Sequence, residues 1–321
     1  MAGIAYGNFG GRHSDFRQQK ARLLLAAQPG LEAPAIPTLA LIAVLIAATA
    51  HATWNLFAKK AAGARHFVWL YSVGSGLLYA PIILWICIQQ RPHFEARHYV
   101  ALAATSVLHL GYSLSLQAGY RSSDLSLVYP IARGFGPLLS FAGAVLLLGE
   151  QPSALSGLGL ALIVAGILLV AGLTREPHRA PRKGIFFGLL TGTFIASYTL
   201  NDGWAVKVLA ISPFIVDFTG NVVRIVVLSP IAWRDRVEVK REAREYAGPT
   251  AVVSVLGPIG YILVLFAMRI APISHIAPAR ELATLAGAYM GSRLLSERTT
   301  PERIIGAVCI VVGVVSLSFA R

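Results

Sequence analysis

Ten apolar segments of about twenty residues follow one another along this chain, and they constrain its fold more than any other feature. A helix that crosses the hydrocarbon core of a bilayer needs about 20 mostly apolar residues. Only 13% of the 321 residues are charged, against about 25% in typical soluble domains. The sequence therefore predicts an all-α integral membrane protein with ten transmembrane helices. The predicted spans are 37–57, 67–90, 98–119, 125–147, 155–173, 185–206, 213–232, 247–268, 274–295 and 302–320.

Residues 1–35 differ from the rest of the chain because they are polar, basic and glycine-bearing. Their longest apolar run, LLLAA, is too short for a secretory signal. We expect a disordered N-terminal tail in front of the first span.

The two halves of the chain resemble each other at a nearly constant offset. Three residues of the segment AHATWN recur 146 residues later in ASYTLN. Arg133 recurs 147 residues later as Arg280. Glu150 recurs at the same offset as Glu297, and both glutamates are expected at loop ends, where they fix a helix turn. The offset indicates an internal duplication.

Each half contains five predicted spans, which is an odd number, so the second half starts on the opposite side of the membrane from the first. This predicts two inverted five-helix repeats, at 36–174 and 184–321. Inverted repeats are the organisation of many secondary transporters, whose substrate site lies near the midplane between the repeats.

A family resemblance is carried by residues 129–170, YPIARGFGPLLSFAGAVLLLGEQPSALSGLGLALIVAGILLV. They resemble the end of an EamA domain, with a proline-bearing fourth helix, a Gly-Glu loop and a glycine-spaced fifth helix. Residues 278–315 resemble a more diverged second copy. Over residues 37–320 the chain resembles the drug/metabolite transporter superfamily, in its ten-helix branch of two EamA-type domains. The resemblance implies transport without identifying a substrate, since members move amino acids, sugars, nucleotide-linked compounds, drugs and lipid-linked precursors.

Polar residues inside the predicted spans mark a candidate substrate cavity, because an ionisable group at membrane depth is by default a functional-site hypothesis. A rise of about 1.5 Å per residue places Arg133 and Arg280 at mirrored depths, about 10 Å in from opposite faces. Away from the span ends, three arginines and three acids lie within the spans, so structural ion pairs between helices are the alternative. The candidate cavity residues are Arg133, Arg280, Glu281, Asn55, Asn201, Asp217, Asn221, Arg224, Trp54 and Tyr129.

Three carboxyl groups are candidates for proton coupling, because burial favours the neutral form of a carboxyl group. They are Asp202, Asp217 and Glu281. Glu281 is not expected to face Arg280, since adjacent helix residues do not face each other. Less specific candidates are the titratable or aromatic residues His51, His109, His275, Tyr112, Tyr198 and Tyr261.

Prolines and small residues predict local helix geometry. Pro130, Pro137 and Pro278 are expected to loosen or kink their helices. The fifth span carries a stripe of small residues, which permits close packing, most readily against the tenth span. The stripe consists of Gly157, Ala161 and Ala165.

Lysine and arginine are distributed unequally across the membrane. The side that holds both termini collects nine of them and the opposite side sixteen. The positive-inside rule makes the side with sixteen cytoplasmic. The ten-helix family that the chain resembles implies the reverse, with both termini in the cytoplasm, so the orientation stays open.

The function that these features favour is secondary active transport, in which a small polar or amphipathic metabolite is exported or exchanged, with protons as a candidate coupling ion. The alternatives are a flippase for a lipid-linked precursor and, less favoured, a membrane-embedded enzyme. An HExxH or paired-aspartate signature and a GxxxxGK[ST] loop are all absent from the sequence. We expect no enzyme activity, cofactor, metal or nucleic-acid partner. The expected setting is the plasma membrane, most readily a bacterial inner membrane, as a monomer or homodimer in the lipid bilayer.

Overall fold

The computed structural model describes residues 36–61, 64–122, 125–170, 182–283 and 301–320, and all regular structure within these ranges is α-helical. Helices suit a bilayer because they satisfy their backbone hydrogen bonds internally. The helices are α1 Thr38–Lys60, α2 Phe67–Gln90, α3 Ala96–Ser122, α4 Leu125–Leu148, α5 Ala154–Val170, α6 Arg182–Lys207, α7 Pro213–Arg234, α8 Arg236–Glu245, α9 Ala247–Ile270, α10 Ile273–Ala279 and α11 Pro301–Phe319.

Seven of the described helices, α1–α4, α6, α7 and α9, contain segments long and apolar enough to cross a membrane. Two shorter apolar segments lie at Ala154–Leu169 in α5 and Ile304–Phe319 in α11. The predicted all-α, multi-pass membrane fold is confirmed. The ninth predicted span begins with α10, and its remainder beyond 283 lies outside the described residues, as do the predicted tail at 1–35 and Glu297.

Helix α8 has no counterpart among the predicted spans, because its sequence RVEVKREARE is mostly charged. It is anchored by Glu242, which is 1% exposed. The Glu242 carboxylate accepts hydrogen bonds from the backbone N–H groups of Arg65 at 2.7 Å and His66 at 2.9 Å, just before α2 begins. A helix N-terminus presents unpaired amide donors and favours negative charge. One buried glutamate therefore ties the link between α7 and α9 to the first repeat.

Helix packing follows the inverted duplication. Helix α1, the first span of the first repeat, packs against α9, the third span of the second repeat. The reverse pair also packs together, since α6, the first span of the second repeat, contacts α3, the third span of the first. Helix α3 also contacts α7, as α9 contacts α2, while α2–α7 and α5–α11 pair with their own counterparts. Exchange of partners between the halves is what a two-fold relation requires, so the packing agrees with two inverted repeats.

The contact between α5 and α11 shows this symmetry at the level of single residues. A Cβ atom on Gly159 would lie 2.8 Å from the carbonyl oxygen of Gly313, and one on Gly166 would lie 2.5 Å from that of Gly306. Gly306 and Gly313 follow Gly159 and Gly166 by 147 positions, the offset of the duplicated arginines. Gly159 meets Gly313 and Gly166 meets Gly306, so the helices run antiparallel with their backbones in contact.

The predicted small-residue stripe on this helix has the correct partner helix but the wrong face. Ala161 and Ala165 are exposed, and a Cβ atom on Gly157 would meet nothing within 4 Å. Small residues occupy two faces of α5, and backbone-to-backbone approach selects the face where glycines of both helices oppose each other.

We expect Gly166→Val to destabilise the protein by about 1–3 kcal/mol or more, since overpacking a tight contact forces the neighbouring backbone apart. Thermal unfolding in detergent measures the effect. Gly157→Val is the matched control on the same helix, where the added side chain meets open space. Equal melting temperatures for the two variants would contradict the close contact between α5 and α11.

Candidate substrate cavity

A cavity of about 770 Å³, open mouth included, lies between residues of the two repeats. The first repeat contributes α1, α2, α3 and α4 to its wall, and the second contributes α6, α7, α9 and the turn after α10. A concave site with an apolar wall and a few convergent polar groups is the usual form of a small-molecule site.

An ion pair between the repeats stands at this cavity. Nη1 of Arg133 in α4 lies 3.2 Å from Oε1 and 3.3 Å from Oε2 of Glu281, which follows α10. Both residues are buried, and Glu281 is fully so. Arg280 also approaches this carboxylate, with Nε 3.9 Å from Oε1. The duplicated arginines, one from each repeat, therefore meet at a single glutamate.

The expectation that Glu281 would not face Arg280 is wrong, and the reason is the end of the helix. Helix α10 ends at Ala279, and the N–H of Glu281 donates to the carbonyl oxygen of Pro278 at 2.9 Å, a three-residue separation. The N–H of Arg280 still donates to the carbonyl oxygen of Ile276, four residues back, at 3.1 Å, so the turn tightens between positions 280 and 281. Both side chains consequently point inward.

The seventh predicted span brings its polar residues onto one face of α7. Nδ2 of Asn221 donates to Oδ2 of Asp217 at 3.0 Å, and Nη2 of Arg224 donates to Oδ1 of Asn221 at 2.9 Å. All three residues line the cavity. The guanidinium of Arg224 also lies 5.8 Å from the ring centre of Tyr71, within range of a cation–π contact. Asn221 thus joins the acid to the arginine.

Asp202 on α6 is completely buried and accepts several hydrogen bonds. Its Oδ2 accepts one from the hydroxyl of Tyr261 at 2.5 Å and lies 2.9 Å from Nε2 of His109. Its Oδ1 accepts one from Nδ2 of Asn201 at 2.9 Å. Asn201 also donates to the carbonyl oxygen of Ala101 at 3.0 Å. Asp202 and Asn201 therefore lie behind the wall, whereas His109 and Tyr261 form part of it.

Aromatic rings form much of the remaining wall. The ring of His109 stacks on Tyr198 with centroids 4.1 Å apart, and Tyr112 meets Tyr198 edge-on at 5.7 Å. Nε1 of Trp54 donates to Nδ1 of His51 at 2.8 Å. Among the aromatic residues of the wall, only Tyr71 was not a candidate at all from the sequence, since nothing in its apolar segment sets it apart.

The other sequence-predicted residues have separate positions. Asn55 lies in α1, and Tyr129 and Pro130 lie in α4, but their side chains are outside the described part of the structure. Pro137 lies within α4, which continues as a helix to Leu148. Pro278 lies within α10, one residue before its end.

Glu150 follows α4 and holds the beginning of α10. Its two carboxylate oxygens accept hydrogen bonds from the backbone N–H groups of Ile273 and Ser274, each at 2.9 Å. As predicted, this glutamate fixes a helix end, and the helix belongs to the opposite repeat. It thereby positions the segment that carries Arg280 and Glu281. Within the described ranges, no group of three or more His, Cys, Asp or Glu side chains is arranged to hold a metal ion.

Comparison with known proteins identifies the family of the chain. The model of the EamA-like transporter family matches residues 38–172 and again residues 182–319. A solved structure described only as "Crystal structure of protein" has the same fold, with a TM-score of 0.62 over 86% of this chain and 98% of that chain at 15% identity. No curated protein matches the sequence. Matched twice, over most of its length, the chain belongs to the EamA-like transporter family.

Proposed function

We propose that this protein is a secondary active transporter that works by alternating access and exports or exchanges a small polar or amphipathic metabolite. The observation that carries the proposal is the Arg133–Glu281 ion pair, which joins the two inverted repeats at the cavity between them. The proposed setting is the plasma membrane, most readily a bacterial inner membrane, with the protein as a monomer or homodimer.

Stability alone gives a poor reason for this ion pair. Desolvation of two buried charges often exceeds their mutual attraction, so well-packed apolar residues would serve the fold as well or better. In alternating access, one repeat rocks against the other around a shared site. Rocking changes contacts between the repeats, and an anionic or polar substrate group can compete with Glu281 for Arg133 or Arg280.

Energy for uphill transport would come from an ion gradient, since the sequence holds no GxxxxGK[ST] nucleotide-binding loop. Of the three candidate carboxyl groups, Asp202 is the best placed to carry a proton. Its neighbour His109 lines the cavity and can pass a proton between the cavity and the buried carboxylate. Protonation of Glu281 would break its ion pair with Arg133. We therefore assign Glu281 to the response to substrate rather than to proton coupling.

Arg133→Ala and Arg280→Ala should each abolish substrate flux, because each removes a charge from the cavity wall. Flux is compared per amount of folded protein in the membrane, because Arg133→Ala also removes the ion-pair partner of the buried Glu281. The measurement is uptake into proteoliposomes over a panel of amino acids, sugars, phosphonates and lipophilic cations, with size-exclusion profiles to check folding. Arg234→Ala is the matched control, since Arg234 is exposed at the end of α7. If both cavity variants transported normally, the assignment of the cavity would be wrong.

A flippase would behave differently in the same liposomes. It would move a lipid-linked compound between leaflets and leave every aqueous compound of the panel untransported. That outcome would replace the proposed class of substrate and retain the cavity.

A further inference from the structure

Hydrogen-bond donors and acceptors around the cavity are not balanced. Each of the three acids already has a donor among the described residues: Tyr261 and Asn201 for Asp202, Arg133 for Glu281, and Asn221 for Asp217. The negative charges of the site are therefore engaged by the protein itself. Among the charged residues that line the cavity, the buried atoms without a hydrogen-bond partner in the described structure belong to arginines.

Arg280 carries the clearest unfulfilled capacity. Its side chain is 4% exposed and lines the cavity, yet no described residue accepts a hydrogen bond from its Nε. Oε1 of Glu281 is 3.9 Å from this Nε and already accepts a hydrogen bond from Arg133. Buried polar groups in folded proteins nearly always have partners. A guanidinium offers five donors in a fixed fork that matches a carboxylate or phosphate.

Arg224 on α7, in the same repeat as Arg280, shows a similar arrangement. Its Nη2 is engaged by Asn221, but its Nε also lacks an acceptor among the described residues. Each of these two arginines lies over the ring of a cavity tyrosine, Arg280 over Tyr198 at 5.9 Å and Arg224 over Tyr71 at 5.8 Å.

The wall itself is electropositive and aromatic. Three arginines and one aspartate line it, whereas the other two acids, Glu281 and Asp202, are buried behind it, so the positive charges are the ones that reach the cavity surface. A low-dielectric cavity strengthens the attraction of such a wall for an anion. Its tyrosine and histidine rings offer flat apolar surfaces to the body of a ligand.

We infer that the substrate is a small organic anion, whose carboxylate or phosphate group is bound by Arg280 and whose planar or apolar body lies against Tyr198 and its neighbouring rings. This inference rests on the proposed transport function and narrows its substrate class. Binding requires no proton transfer to or from the ligand, because the anionic group supplies the hydrogen-bond acceptors that Arg280 lacks.

Three ring compounds of nearly equal shape test the sign of the charge: benzoate, benzamide and benzylammonium. Added to the full-length protein in a neutral detergent, benzoate should raise the unfolding temperature in a concentration-dependent manner, and the other two should not. Arg280→Gln should weaken benzoate binding by about 10- to 100-fold, the range expected when a hydrogen bond to a charged group is lost. Arg234→Gln, which alters an exposed arginine, should bind benzoate like the unaltered protein.

Several outcomes would overturn the inference. Stabilisation by benzamide or benzylammonium without benzoate would do so and would leave the transport function standing. Stabilisation by none of the three, or benzoate binding that survives Arg280→Gln, would also do so. The proposed transport function would fail separately, in proteoliposomes that show no flux of any charge class.

The same anionic group can belong to a soluble metabolite or to a lipid headgroup. Phosphatidylglycerol added to the micelles in place of benzoate separates the two sources. Stabilisation by benzoate that depends on Arg280 assigns the site to a soluble anion. Stabilisation by phosphatidylglycerol alone, again lost in Arg280→Gln, overturns the inference of a small soluble substrate and assigns the anion site to a lipid.

Discussion

Replacing Glu281 with alanine should lower the free energy of unfolding by about 3–5 kcal/mol, the usual cost of leaving buried charge without its partner. Arg133 and Arg280 are 8% and 4% exposed, and both would lose the carboxylate that they approach. Thermal or denaturant unfolding of the full-length protein in detergent measures the loss. We expect it to exceed the effect of any exposed substitution.

Two comparisons make this result specific. Glu238→Ala removes a carboxylate from an exposed ion pair with Arg241 on α8 and should cost less than about 1 kcal/mol. The double variant Arg133→Met with Glu281→Met removes both charges of the cross-repeat pair and should recover much of the lost stability, but not transport. If Glu281→Ala were as stable as the unaltered protein, the buried ion pair would not exist as described.

Asp202→Asn should separate exchange from accumulation. Asparagine keeps the size of the side chain and one acceptor oxygen for Tyr261 and His109, but it cannot take up and release a proton. Under an imposed pH gradient we expect the variant to exchange substrate between equal pools yet fail to concentrate it. Counterflow and gradient-driven uptake in the same proteoliposomes measure the two activities.

Asp235→Asn is the control for this substitution, since Asp235 lies at the turn between α7 and α8 in a partly exposed ion pair with Arg65. It should leave both activities intact. Gradient-driven uptake that persists in Asp202→Asn would assign the proton to another group or replace the proton as coupling ion.

The helical elements were predictable because a bilayer leaves little choice. Each crossing must be apolar for about 20 residues and must satisfy its own backbone, so the spans are visible in the order of residues. The shared face of Asp217, Asn221 and Arg224 was equally predictable, since positions three and four apart on a helix are neighbours.

Helix α8 and the approach of Arg280 to Glu281 were not predictable from the same rules. Helix α8 forms on a charged sequence, and Glu242 anchors it through backbone amides 176 and 177 positions away. The side chains of Arg280 and Glu281 approach to 3.9 Å because the turn tightens after α10 ends at Ala279. Both features depend on contacts and helix ends that hydropathy and spacing do not record.

The order of residues alone was enough to establish a membrane-embedded helical fold, its internal duplication and the family that it resembles, because hydropathy and a constant offset act at the level of the chain. The partners of the buried charges came only from the folded arrangement. Three arginines and three acids permit several pairings. The choice of Glu281 for Arg133, and of His109, Tyr261 and Asn201 for Asp202, arises from helices far apart in sequence that pack into one wall.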